Sequence, residues 1–310
     1  SVEHPELIVD GAAAAAARKV YCGTIGAEFM HIDDPLRRRW ITERLESEAP
    51  EPDHAFILER LIRAELFEQV LQTRYLGSKR FSLEGVTALI PLLDRVLDAA
   101  GQIGCQQIIL GMSHRGRLNV MAHIAGQRAA DIFAGFEDVD PRSVLGSGDV
   151  KYHVGATGEY RTREGRKLAV HLASNPSHLE AVDPVVIGRA RAKQARAGDA
   201  GRRKVLPVVL HGDGAFAGQG VWAETLNMAE VVAYSVGGAI HVIVNNLIGF
   251  TTGPAQLHSA GFASSLAKRQ AIPIFHVNGE DLDAVVRVGQ IALEYRYKFS
   301  SDVVIDLIGY

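Results

Sequence analysis

Six short runs rich in valine and isoleucine recur after residue 80: QQIILGM (106–112), KLAVHLAS (167–174), VLPVVLHG (205–212), AIHVIVNN (239–246), PIFHVNG (273–279) and DVVIDLIG (302–309). They lack the apolar-polar alternation of a strand wetted on one side, so each reads as a strand covered on both faces. Helical stretches such as SHLEAVDPVVIGRARAKQA (177–195) and EDLDAVVRVGQIALEYRY (280–297) lie between them and supply the cover. The pattern predicts an α/β fold, a doubly wound and mostly parallel sheet, over residues 79–310. Residues 1–78 read as a small helical region. Within it, the stretch from Asp53 to Tyr75 places Phe56, Leu58, Leu61, Ile62, Leu66 and Val70 at three- and four-residue steps, the spacing of a core-facing helix stripe. A second helix is expected around Pro35 to Glu46, ahead of the spacer SEAPEPD (47–53), and a turn or two of helix over the alanines at 12–17.

Composition narrows the partners. The net charge of -3 comes from 33 basic and 36 acidic residues, which suggests neither a nucleic-acid footprint nor a polybasic membrane patch. No run reaches the roughly 18 apolar residues of a membrane span, and the first residues do not read as a signal peptide. Cys22 and Cys105 stand alone, without metal-site spacing, and point to a reducing compartment. The expectation is a soluble protein whose partners are small molecules or other proteins.

In an open parallel sheet, ligands bind beyond the carboxyl ends of the strands, so the residues after each run carry the chemistry. Here they are SHRGR (113–117), NPSHLE (175–180), GDG (212–214) and the pair Asn245 and Asn246. The glycines around Asp213 have the spacing of a phosphate-binding turn, which admits a nicotinamide dinucleotide site. An aspartate beside a pyrophosphate is repulsive, however, unless a cation intervenes. The next strand also ends in asparagine, where a ribose-binding site would place an acid. Asp213 and Asn246 are instead hard oxygen ligands suited to Mg²⁺, an ion usually shared between a few protein oxygens and substrate phosphates.

Asn246 lies 33 residues after Asp213, about the length of one strand, crossover helix and return strand. GDG followed after that interval by NN resembles the thiamine-diphosphate fingerprint. The surrounding GQGVWAETLNMAE and VNNLIGFTT resemble the first component of the 2-oxoglutarate dehydrogenase complex. The likeness runs in order through YCGTIGAEFMHI (21–32), KRFSLEG (79–85), GMSHRGRLNV (111–120), GSGDVKYHVGATG (146–158) and NPSHLEAVDPVVIG (175–188). It departs at PAQLHSAGFASSLAKRQ (254–270). The resemblance implies Mg²⁺ held by Asp213, Asn246 and the backbone carbonyl of Ile248. It also implies thiamine diphosphate touching Gly214, Ala215, Arg117, Ser177 and Leu179, and active-site histidines at His114, His153 and His178. It further implies oxidative decarboxylation of 2-oxoglutarate, with succinyl transfer to the lipoyl arm of an acyltransferase component, and a homodimer. A second domain would bind the aminopyrimidine ring and supply the activating glutamate, and this chain is expected to lack it. Other 2-oxo acids, such as 2-oxoadipate, and a non-catalytic scaffold remain alternatives. A bacterial cytoplasm or a mitochondrial matrix is the expected location.

Other polar residues have plainer readings. His171, His241 and His276 fall inside apolar strands and read as satisfied core histidines, and Arg37 to Arg39 read as a solvated helix face. His178 could alternatively cap a helix together with Ser177.

Overall fold

The computed structural model describes residues 12–78, 80–137, 153–249 and 251–310. Of the motifs quoted above, Lys79, residues 146–152 and Phe250 therefore lie outside the described residues. The strands are β1 (Ile25–Glu28), β2 (Gln107–Met112), β3 (Ala156–Arg161), β4 (Lys167–Leu172), β5 (Val205–Gly212), β6 (Ile240–Asn245), β7 (Ile274–Asn278) and β8 (Val303–Ile308). The helices are α1 (Ala12–Tyr21), α2 (Pro35–Glu46), α3 (His54–Arg74), α4 (Leu89–Gln102), α5 (Arg117–His123), α6 (Ala129–Glu137), α7 (Asp183–Arg196), α8 (Asp213–Gly218), α9 (Gly220–Asn227) and α10 (Leu282–Phe299). Among the described residues, no helix is long and apolar enough to cross a membrane.

The eight strands form one sheet in the order β1-β7-β8-β6-β5-β2-β4-β3. All pairings are parallel except β1 with β7 and β3 with β4, so an antiparallel strand closes each edge. The six predicted runs are the six parallel strands. Alternate side chains leave them in opposite directions, as the pleat requires. Ile108, Leu110 and Met112 of β2 join one core with α4, α10 and residues from α2 and α3. Ile109, Val205 and Val209 pack on the other face against Val182, Val186 and Ala190. Phe216, Trp222 and Leu226 extend that second face beneath Ile243 and Val304. Cover on both faces explains why the runs lack alternation.

The N-terminal region holds one strand that was not expected. β1 pairs with β7 in register Ile25↔Val277, and Phe29, Ile32, Ile41, Leu45, Ala64, Phe67 and Leu71 join the core of the sheet. The expected stripe on α3 is corrected by the structure. Ile57, Ala64, Phe67 and Leu71 are buried, whereas Leu58, Ile62, Leu66 and Val70 face outward at 44% to 57% exposure. Both rows are apolar at helical spacing. The buried row contains Ala64 and Phe67, and Phe67 stacks on Phe133 of α6 with ring centroids 5.7 Å apart. A small residue beside a ring lets the helix approach closely, an advantage that the all-aliphatic row does not offer.

Candidate cofactor and metal site

The chain runs from β2 outward to β4, then back across β2 to β5 and on to β6. The direction of winding therefore reverses between β2 and β5, and the crevice beyond that pair is the expected ligand position in such a sheet. On one side of it stand Ser113, His114 and Arg115, and on the other Gly212, Asp213 and Gly214. The tip of β4, carrying Ser177, His178 and Leu179, flanks the first side; the tip of β6, carrying Asn246 and Ile248, flanks the second.

Asp213 opens α8 and is only 4% exposed. It does not cap that helix, since Gly212 occupies the cap position and no side-chain cap bond forms. Burial pushes its carboxyl above the usual range; the backbone N–H groups of Asp213 and Gly214 pull it down, Asp306 raises it and Arg115 lowers it. A carboxylate held out of water beside a second one calls for a cation. Asn246, on the adjoining strand tip, is 3% exposed, and its side chain makes no hydrogen bond to another described residue. Its neighbour Asn245 turns inward and donates to Asp306 Oδ1 at 3.0 Å. Leu247 takes a positive φ of 57°, after which Ile248 stands 55% exposed. The Asp213 carboxylate, which accepts from backbone N–H groups, and the Asn246 amide, without a hydrogen-bond partner among the described residues, lie at neighbouring strand tips and fit a hard divalent ion. Gly214 is exposed, and a Cβ there would meet only Gly249 Cα, at 4.0 Å. Bare backbone at that point gives a diphosphate a smooth bed, and Ala215 lies buried just beyond it.

On the opposite side, His153 Nε2 lies 3.2 Å from Ser177 Oγ, and the His153 carbonyl accepts from the Asn175 N–H at 3.1 Å. The His114 ring sits 4.0 Å from the Phe81 ring. Burial, followed by the charges of Arg115 and His153, pushes the His114 imidazole below its ordinary pKa. His114 is therefore neutral near pH 7 and has one N–H to donate. His178 is exposed, and its Nδ1 turns back onto the Leu179 carbonyl at 3.0 Å. The capping alternative for Ser177 and His178 fails, because α7 starts only at Asp183 with Val182 at its cap.

Arg117 is the predicted contact that the structure does not bring to the rim. Its fully buried guanidinium donates to the carbonyls of Met112, Val154 and Ala173, and burial pushes its pKa down to about 10. It braces the ends of β2 and β4 from within. Two residues earlier, Arg115 is half-buried, donates to the Ser82 carbonyl at 3.0 Å and feels the charge of Asp213. Between them Gly116 adopts φ 71°, and a Cβ there would strike the Leu83 side chain. That reversal lets one arginine go inward and the other outward. The sequence reading overlooked Arg115, and the presence of two arginines flanking a glycine was the only available signal.

The core reading holds for His241, which meets His211, and for His276, which bridges Asp306 and Glu28; it is corrected for His171, which is only half-buried and meets Lys193 and Thr157 beside the edge strand β3.

Comparison with known proteins agrees with this geometry. The family model described as "Dehydrogenase E1 component" matches residues 59–310. The "Multifunctional 2-oxoglutarate metabolism enzyme" of Mycolicibacterium vanbaalenii is 48% identical over 301 residues, covering 94% of this chain and 24% of that protein. The "2-oxoglutarate dehydrogenase E1/E2 component" of Corynebacterium glutamicum is 49% identical over 300 residues, again 94% of this chain and 24% of the relative. For the "2-oxoglutarate dehydrogenase E1 component" of Brucella ovis the figures are 47% over 311 residues, 94% and 31%. The chain thus spans about a quarter to a third of the length of these curated relatives. With a family match over most of its length and the mostly parallel α/β sheet described above, the chain belongs to the dehydrogenase E1 component family.

Proposed function

We propose that residues 79–310 form the diphosphate- and metal-binding half of a thiamine-diphosphate-dependent 2-oxo acid dehydrogenase, acting on 2-oxoglutarate. The observation that carries this reading is the placement, at adjoining parallel strand tips, of buried Asp213 and of Asn246, whose side chain has no hydrogen-bond partner among the described residues. Asp213, Asn246 and the Ile248 carbonyl would hold Mg²⁺. Gly214, Ala215, Ser177 and Leu179 would line the diphosphate, and Arg117 would brace that lining from behind. The cofactor, when bound, supplies the electron sink that lets CO₂ leave a 2-oxo acid.

This chain's own residues prepare the substrate. The neutral imidazole of His114 donates a hydrogen bond toward the substrate, and the charge of Arg115 attracts a carboxylate into the crevice. His153, oriented by Ser177, offers a second ring nitrogen from the β4 side. His178 is the weakest assignment on geometry, being turned onto its own backbone. The succinyl group would then pass to a lipoyl arm, in keeping with the "E1/E2" name of the Corynebacterium relative. A second domain would complete the site, and the working unit would be a homodimer.

The test is calorimetry of thiamine diphosphate binding with and without Mg²⁺, followed by turnover on 2-oxoglutarate, 2-oxoadipate and pyruvate, using protein expressed from its complete reading frame. The expected result is Mg²⁺-dependent binding and fastest turnover on 2-oxoglutarate. Binding indifferent to Mg²⁺ would refute the metal assignment, preference for 2-oxoadipate would reassign the substrate, and no binding at all would support a non-catalytic role.

A further inference from the structure

Behind the rim lies a buried polar chain that none of the roles above uses. His211 is the penultimate residue of β5, two positions before Asp213, and is fully buried. Its Nδ1 lies 2.5 Å from Glu180 Oε2 and 3.7 Å from Asp183 Oδ2, while its Nε2 lies 3.0 Å from Nδ1 of His241 on β6. Phe216 and Trp222 wall the ring, each at 4.9 Å between centroids. Glu180 directly follows Leu179, is 5% exposed and holds a positive φ of 65°, a conformation uncommon for a residue with a Cβ. Such a backbone persists only where its surroundings over-determine it, and here a side chain drawn 2.5 Å from a core histidine does so.

Glu180, Asp183 and His211 also present one ligand-type atom each within 4.8 Å of one another. A cation would not sit between the closest pair. Two ligands bound tetrahedrally to one zinc ion at ordinary bond lengths stand about 3.3 Å apart, whereas His211 Nδ1 and Glu180 Oε2 are already in direct hydrogen-bond contact at 2.5 Å. Burial pushes the Glu180 carboxyl up to about 7 and that of Asp183 up to about 9, so the pair keeps a proton near neutral pH. The His211 tautomer that donates through Nδ1 to Glu180 leaves Nε2 to accept from His241.

We infer that Glu180 and His211 are positioning residues: their hydrogen bond ties the turn that carries Ser177 and Leu179 to the strand that presents Asp213, so both walls of the crevice are set before the cofactor arrives. The inference rests on reading that crevice as the cofactor site. Positions 177 and 179 belong to the loop after β4, whereas 213 opens α8 at the end of β5, and this bond joins that loop directly to β5 through buried groups.

Three variants separate the side chain from the backbone. Glu180→Gln keeps a carbonyl oxygen for His211 and resembles the protonated acid. Glu180→Gly relieves the positive φ and deletes the bond, and Glu180→Asn tolerates the same φ but is one methylene too short to reach. In the protein expressed from its complete reading frame, Mg²⁺-dependent thiamine diphosphate binding is measured by calorimetry, together with turnover over a range of cofactor concentrations. Glu180→Gln is expected to bind within about threefold of wild type. The glycine and asparagine variants should bind at least about tenfold more weakly, with turnover at saturating cofactor recovering to within about threefold. Wild-type affinity in the glycine or asparagine variant would overturn the inference. So would a glutamine variant as impaired as glycine, a bound metal equivalent lost on Glu180→Gln, or failure of both shortened variants to fold. Absence of binding in the wild type would instead overturn the cofactor reading, and this inference with it.

Discussion

Replacing Asp213 with asparagine should strengthen the empty protein while abolishing its response to cofactor. The carboxylate is 4% exposed and lies near Asp306, itself fully buried. Its pKa is raised in the fold chiefly by burial, so its ionised form works against folding at neutral pH and ceases to do so below about pH 4, where the unfolded group is also protonated. Asp213→Asn removes that charge and keeps the shape. A buried ionic defect of this kind is worth on the order of 1 kcal/mol, or about 2 °C in midpoint for a domain of this size. Binding at a hundredfold excess over Kd stabilises a protein by about 2.7 kcal/mol, equivalent to about 5 °C on the same scale. Differential scanning fluorimetry at pH 7.5 to 8 (about one unit above neutrality, where carboxylates are ionised) should therefore show the wild type rising by about 5 °C with thiamine diphosphate and Mg²⁺. The variant should start about 2 °C higher and not move. A variant that starts several degrees lower and still responds to cofactor would refute both the charge argument and the metal assignment.

Asp302 allows a pH test remote from the crevice. Burial raises its pKa to about 6, against the N–H of Ala239, which it accepts at 2.6 Å. The stability it contributes is complete below about pH 4 and lost as pH rises through about 6, so Asp302→Asn should stabilise the protein at pH 8 by up to about 3 kcal/mol and by nothing near pH 4. Chemical denaturation at both pH values checks the sign. Arg117→Met should cost at least about 3 kcal/mol by leaving three carbonyls without donors, and Arg117→Lys should not rescue it, because an ammonium cannot fork. Gly158→Ala should prevent folding or cost several kcal/mol, since the new Cβ would strike the Ala125 carbonyl, a backbone atom that cannot swing aside. Ile62→Glu, on the outward row of α3, should change the unfolding free energy of this chain by less than about 0.5 kcal/mol.

The sequence announces the parallel strands because a strand covered on both faces has to be apolar throughout. The two edge strands carry no such mark. β3, ATGEYR, buries only alternate residues, and β1 is four residues long with a glycine in it. α4 escaped notice for a different reason: its polar row, Asp94, Asp98 and Gln102, has the spacing of a solvent face, yet both aspartates are buried beneath Arg60, Tyr160 and the Arg163 N–H, so burial there follows from tertiary partners. On α3, two apolar rows compete, and only the third dimension decides between Phe67 and Leu66. At the crevice, Asp213 and Asn246 were legible because one strand, crossover and return strand separates them. The direction of each arginine around Gly116, and the partnership of His211 with Glu180, depend on contacts between segments distant in sequence that no local pattern encodes.

The pairing of β1 with β7 has a consequence for how the chain is made. Ile25 finds its partner only at Val277, about 250 residues later. At translation rates of about 5 to 20 residues per second, the first strand waits roughly 12 to 50 s at the ribosome with its hydrogen-bonding edge unmatched. During that interval Phe29, Ile32 and Ile41 have no completed sheet to rest on. Nascent chains stalled before residue 274 should be cut by protease in this early segment, and chains released beyond residue 308 should resist.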